Sequence, residues 1–121
     1  MDSKTDRANN NEKSLGAEYM LFLGTDEKLI YNAKGVFDNT IEGHLVLTDK
    51  KLFFYYVSNI ARDKILIATH PNLESVKLKD SLFNSSLTIN SKTKSCSIKK
   101  MNKKDAKELS IKLEKIIKEN K

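Results

Sequence analysis

The sequence predicts a mainly β domain closed by one C-terminal helix. Three observations carry this. Short apolar, β-prone runs recur between residues 27 and 99, separated by polar turn residues at intervals of 8–12 residues. The segment Gly43–Tyr56 holds two such runs around a polar turn, which reads as a hairpin of two buried strands. From about residue 103 the periodicity changes to that of a helix.

Glu27 to Phe37 is the first strand, with Leu29, Tyr31, Ala33 and Gly35 alternating against Ile30 and Val36; Asp38-Asn39-Thr40 is a turn by residue type. Ile41 to Thr48 is the second, Asp49-Lys50 the turn, and Leu52 to Ser58 the third. The third strand carries aromatic residues on both faces, Phe54 and Tyr56 against Phe53 and Tyr55, so one face meets the core and the other a neighbouring element. Lys64 to Thr69 is a fourth strand, stopped at His70-Pro71-Asn72 by the only proline. Leu73–Leu78, Ser86–Asn90 and Lys94–Lys99 complete seven strands, with Val76, Leu78, Leu87, Ile89, Cys96 and Ile98 as their apolar positions.

Asn102 is a good helix N-cap, and Asp105 at the third helical position makes an approximate capping box. Ala106, Leu109, Leu113, Ile116 and Ile117 fall on one stripe of a helix over about 103–119. Glu108 precedes Lys112 by four residues and Glu114 precedes Lys118 by four, the favourable orientation for such pairs. The stripe lies on something apolar, either the open end of the barrel or a partner; capping the barrel is the simpler reading.

Residues 1–13 are polar, with Asn9-Asn10-Asn11, and read as a disordered leader to a single domain over 14–121. Ser14 to Leu23 is either a short helix opened by Ser14 or a loop packing Leu15, Met20 and Leu23 on the domain edge. No apolar run reaches the roughly 20 residues of a membrane span, and the leader lacks the plan of a signal peptide. A single cysteine forms no internal disulfide and reads as a small buried apolar side chain. The expected place is the cytoplasm, with a peripheral position on the inner face of the membrane as a variant.

The net charge of +6 is local: residues 91–121 carry eleven lysines against four acids, while residues 14–90 carry eight basic against nine acidic residues. With 20 lysines and only Arg7 and Arg62, the chain lacks the arginines that bidentate phosphate or base recognition favours. Nucleic acid is therefore the weaker expectation. The dense cluster is Lys99-Lys100-Met101-Asn102-Lys103-Lys104. Lys103 and Lys104 fall in the first helical turn, where the macrodipole disfavours cations by about 0.3–1 kcal/mol each, and free N–H groups there add to an anion site. Lys99, Lys100, Lys103 and Lys104 are the candidate anion- or partner-binding residues; the competing reading is a solvated face partnered by Glu108 or Asp105.

Enzyme signatures are missing: no Gly-rich phosphate loop, no metal-ligand spacing and no nucleophile elbow. His44 and His70 read as structural histidines. No catalytic residue, metal ligand or cofactor is assigned.

Read together, Gly24-Thr25-Asp26-Glu27-Lys28-Leu29-Ile30-Tyr31, the Gly43–Tyr56 hairpin, His70–Leu78, Ser81–Ile89 and the run Ile98–Leu109 follow one another as in the bacterial pleckstrin-homology (PH-like) domains. The chain resembles that family over residues 24–118, and is similar to its short single-domain PH/GRAM-like proteins. The resemblance implies a PH-like barrel of seven antiparallel strands in two near-orthogonal sheets, capped by the helix. It also implies an interaction module that binds a protein partner, by strand addition or self-association; the lysine cluster at the C-terminal corner adds anionic membrane lipid as the alternative. In lipid-binding eukaryotic relatives, lysines and arginines around the loop between strands one and two hold the phosphates. Here that region offers one lysine, Lys34, opposed by Asp38 and Glu42.

Overall fold

A computed structural model describes residues 23–57 and 62–120. The polar leader, the segment 14–22 and the Ser58 end of the third strand lie outside these residues. The elements are β1 (Leu29–Phe37), β2 (Ile41–Thr48), β3 (Lys51–Val57), β4 (Arg62–Thr69), a 3-10 turn (His70–Asn72), β5 (Leu73–Asp80), β6 (Ser85–Ser91), β7 (Ser95–Met101) and α1 (Lys103–Glu119).

All strand pairs are antiparallel, in the order β4-β3-β2-β1-β7-β6-β5. The two sheets implied by the family resemblance are two halves, β1–β4 and β5–β7, hydrogen-bonded into one sheet through β1. The junction is narrow, with Val36 opposite Lys99 and Phe37 opposite Ile98. Gly35 makes it sterically feasible. A Cβ there would lie 2.5 Å from Ile98 Cγ2 and 3.3 Å from the Lys99 carbonyl oxygen, inside the space β7 occupies.

Alternation sorts the side chains onto two faces. Ala33, Phe37, Leu45, Leu47, Leu52, Phe54, Ile67, Leu87, Ile89, Cys96, Ile98 and Met101 fill the interior. α1 lays Ala106, Leu109, Leu113 and Ile117 on this core, packing mainly on β5 and also on β1 and β6. The opposite face of β2 and β3 carries a second cluster, Val46, Phe53 and Tyr55, packed with Leu23 and Leu29. Aromatic residues on both faces of β3 therefore serve two separate cores.

Several expectations shift. β1 begins at Leu29, because Glu27 closes a turn by donating its N–H to the Gly24 carbonyl (3.1 Å). The Glu27 carboxylate is buried, accepting from the Gly24 N–H (2.8 Å), the Thr48 hydroxyl and the Lys51 ammonium (3.1 Å). β5 continues past Leu78 to Asp80 and β7 past Lys99 to Met101, since their hairpin partners on β6 extend equally far. The capping box does not form as drawn. Asn102 Oδ1 accepts from the N–H groups of Lys104 (2.9 Å) and Asp105 (3.2 Å), as an N-cap should, but Asp105 turns away and accepts the Tyr31 hydroxyl at 2.7 Å. That bond ties the helix start to β1. Glu108 and Lys112 pair at 3.6 Å.

Candidate functional site

Pairing fixes which side chains gather at the β1–β7 junction. Lys34 on β1 stands opposite His44 on β2, which stands opposite Tyr55 on β3. Lys34, Glu42, His44, Tyr56 and Lys100 border a cleft of about 700 Å³. A neighbouring cleft of about 430 Å³ is bordered by Asn39, Lys79, Ser81, Asn84, Lys99 and Lys100. Both clefts share Val36 and Lys100. Lys100 reaches this position through its backbone: at φ 56° it lies in the left-handed region, costing a non-glycine residue about 1–2 kcal/mol. The reversal turns the Lys100 side chain outward while Met101, the next residue, is fully buried.

Four lysines from three strands thus surround adjoining clefts: Lys34, Lys79, Lys99 and Lys100. Among the described residues none of the four pairs with a carboxylate. Glu42 is the one acid bordering the first cleft, and no acid borders the second. Two acids nearby are held elsewhere. Asp38 Oδ1 accepts from the Ser97 N–H (3.3 Å), and the Asp80 carboxylate accepts from the Ser85 hydroxyl.

The candidate lysines of the sequence divide. Lys99 and Lys100 border the clefts; Lys103 and Lys104 are exposed on the first turn of α1 and border neither. The N–H groups of Lys104 and Asp105, which an anion at that helix terminus needs, already donate to Asn102. Lys34 and Lys79 join the site only through strand pairing. Their separation from Lys99 in the chain hides them from any local count of charge.

His44 borders the first cleft. Its Nε2 is buried and has no hydrogen-bond partner among the described residues. Burial, and secondarily the Lys34 charge, hold its pKa below the ordinary 6.5, so the imidazole is neutral at neutral pH. His70 is structural, with Nε2 2.8 Å from the Thr48 carbonyl oxygen. Cys96 is buried, and burial, with the Asp38 charge, pushes its thiol up to about 11, against a smaller lowering by Lys94. Such a thiol is a poor nucleophile at neutral pH. Among the described residues no three His, Cys, Asp or Glu side chains gather as a metal site, and no helix is long and apolar enough to cross a membrane. The outer position of β4 among the described strands is a separate feature: Val57 and Leu66 are exposed beside it, and Lys94 Nζ donates to the Leu66 carbonyl at 2.7 Å.

No protein of curated function matches the chain. Among solved structures, the pleckstrin homology (PH) domain of USP37 is similar, with a TM-score of 0.57 at 20% identity, covering 73% of this chain and 97% of that one. At that identity the likeness concerns the fold. The family profile described as "Bacterial PH domain" matches residues 21–115. PH domains generally mediate protein or lipid interactions and are typically non-catalytic. The match spans most of the sequence and every strand of the barrel: this chain belongs to the bacterial PH domain family.

Proposed function

We propose that this domain is a non-enzymatic interaction module that holds an anionic ligand at the β1–β7 junction, on the cytoplasmic side of a membrane. The observation that carries the reading is the convergence of Lys34, Lys79, Lys99 and Lys100 on two clefts that share Lys100. Like charges gathered around concave surfaces focus potential and raise the local concentration of anions. Lysine suits this role without arginine, because an ammonium is a point charge that adapts to a phosphate or carboxylate group in many orientations. The left-handed backbone at Lys100 supports the same reading, since strain of this kind is retained where it aims a side chain.

The test is calorimetric titration with inositol hexakisphosphate as a polyanionic probe, at low and moderate salt. Binding that weakens steeply with salt and is lost in Lys34→Glu/Lys100→Glu is the expected result. Lys103→Glu/Lys104→Glu retains most of it. Equal binding by wild type and the Lys34/Lys100 variant refutes the reading.

A protein partner or second copy adding a strand along β4 is the second reading, favoured by the edge position of β4 and the exposed Val57 and Leu66. It predicts self-association or peptide binding that Leu66→Lys abolishes, read by analytical ultracentrifugation.

A further inference from the structure

The turn between β5 and β6 carries residues that its geometry does not call for. Ser81 donates its N–H to the Asn84 carbonyl at 2.8 Å, and its Oγ to the same oxygen at 2.9 Å and to Asn84 Oδ1 at 3.0 Å. The β6–β7 turn is built the same way: the Ser91 N–H donates to the Lys94 carbonyl at 2.8 Å and Ser91 Oγ to that oxygen at 3.1 Å. Between these anchors the β6–β7 turn places Lys92 and Thr93, ordinary exposed residues. The β5–β6 turn places Leu82 and Phe83, exposed at 79% and 86%. The β1–β2 turn uses Asp38 and Asn39 at positive φ, as tight hairpins favour. Leu82 and Phe83 thus satisfy neither turn chemistry nor core packing, and two adjacent large apolar side chains in water need a partner.

Charge next to the turn identifies the partner. Ser81 and Asn84, the anchors of the turn, border the same cleft as Lys79, Lys99 and Lys100. Lys79 lies on β5, one residue before its end at Asp80 and three residues before Leu82 in the chain. The order of layers is an apolar tip, then cations behind it on β5 and β7, at the depth of the cleft. An anionic bilayer surface has the complementary order, and lysine stems suit that depth because they reach from apolar to aqueous surroundings. Resting on the anion-binding reading above, and naming its source, we propose that Leu82 and Phe83 insert into the interface of a bilayer containing anionic lipid, while Lys79, Lys99 and Lys100 hold its headgroups.

The chain has no tryptophan, so Phe83→Trp places a single indole at the tip. The full chain is titrated with vesicles of phosphatidylcholine alone or mixed with phosphatidylserine, following indole emission and co-sedimentation. The expected result is a blue shift and binding with the mixed vesicles only. Leu82→Ser/Phe83→Ser weakens co-sedimentation by roughly tenfold or more, while its far-UV spectrum and its titration with inositol hexakisphosphate stay as in wild type. Vesicle binding that is equal in the serine variant, with no indole shift, overturns the insertion. So does binding of inositol hexakisphosphate without vesicle binding; in both cases the cleft reading stands. An indole shift that grows with protein concentration without vesicles assigns the tip to a second copy and overturns the proposal. Failure to bind either probe overturns the insertion and the cleft reading together.

Discussion

Gly43→Ala is the sharpest test of the packing around the central hairpin. Gly43 lies on β2 opposite Gly35 on β1. A Cβ added there would fall 2.3 Å from the Tyr55 carbonyl oxygen, with Phe54 Cε2 at 2.8 Å and Cζ at 3.1 Å. The ring of Phe54 is fully buried and the oxygen belongs to the β3 backbone, so neither yields without moving the strand. Overpacking of this kind costs about 1–3 kcal/mol, and contact with backbone places it at the upper end. Restricting the unfolded chain returns about 0.4–1 kcal/mol. A net loss of about 2 kcal/mol lowers the melting temperature by roughly 8–16 °C in a domain of this size. Guanidinium unfolding measures it, with the midpoint falling at an unchanged slope. Gly24→Ala is the control: its Cβ meets only Glu27 atoms at 3.7 and 3.9 Å, so stability stays within about 0.5 kcal/mol of wild type. A Gly43→Ala midpoint equal to that of wild type refutes the argument from close approach.

Asn102→Ala removes the acceptor for two helical N–H groups and costs about 0.5–2 kcal/mol by denaturant titration; an unchanged midpoint means the cap is dispensable. Burial pushes the Glu27 carboxyl up, but hydrogen bonds from Thr48, the Gly24 N–H and Lys51, with the Lys51 charge, outweigh it and hold the pKa below 4.5. Its stabilisation is therefore complete above pH 4.5 and is lost as pH falls through the lowered value, so Lys51→Met shifts acid unfolding to higher pH, read by circular dichroism. His44 is also lowered, from 6.5, so the unfolded chain takes up the proton first as pH falls. Stability declines below about pH 6.5 for that reason, and His44→Gln flattens this part of the pH profile; a persistent slope assigns it to another group.

The fold was legible wherever local pattern decides it. The run Ile41–Thr48 coincides with β2, and the stripe from Ala106 to Ile117 with the buried face of α1, because period-2 and period-3.6 burial leave their marks in the residues themselves. Asn102 was legible as a cap because its short side-chain oxygen accepts from N–H groups two and three residues on, a purely local arrangement. What depends on distant partners was not. Asp105 fits a capping box locally, yet Tyr31, 74 residues away, takes its carboxylate. Glu27 reads as the start of a strand, yet Lys51 and Thr48 draw it into a turn.

The lysine cluster shows the same limit. Lys99 and Lys100 stand out by local density, but Lys34 and Lys79 join them only because β1 crosses to β7 and β5 pairs with β6. Lys103 and Lys104 share that density and fall outside the clefts, because Met101 turns into the core between them and Lys100. In the sequence Leu82 and Phe83 lie within the run Ser81–Ile89 that resembles a stretch of the family pattern, and nothing local sets them apart. The signal that marks them as a turn is the repeat of a serine three residues before the turn's closing carbonyl, Ser81 to Asn84 and Ser91 to Lys94, and it becomes readable once the hydrogen bonds are seen.

The central claim is that anions are held where Lys34, Lys79, Lys99 and Lys100 converge. Amide chemical-shift mapping during titration with inositol hexakisphosphate addresses it most directly, because the readout covers every strand at once. Shifts concentrated at residues 34–36, 79–86 and 99–100, absent in Lys34→Glu/Lys100→Glu, are the predicted result. Shifts confined to the first turn of α1 around Lys103 and Lys104, or to the β4 edge at residues 64–69, contradict it.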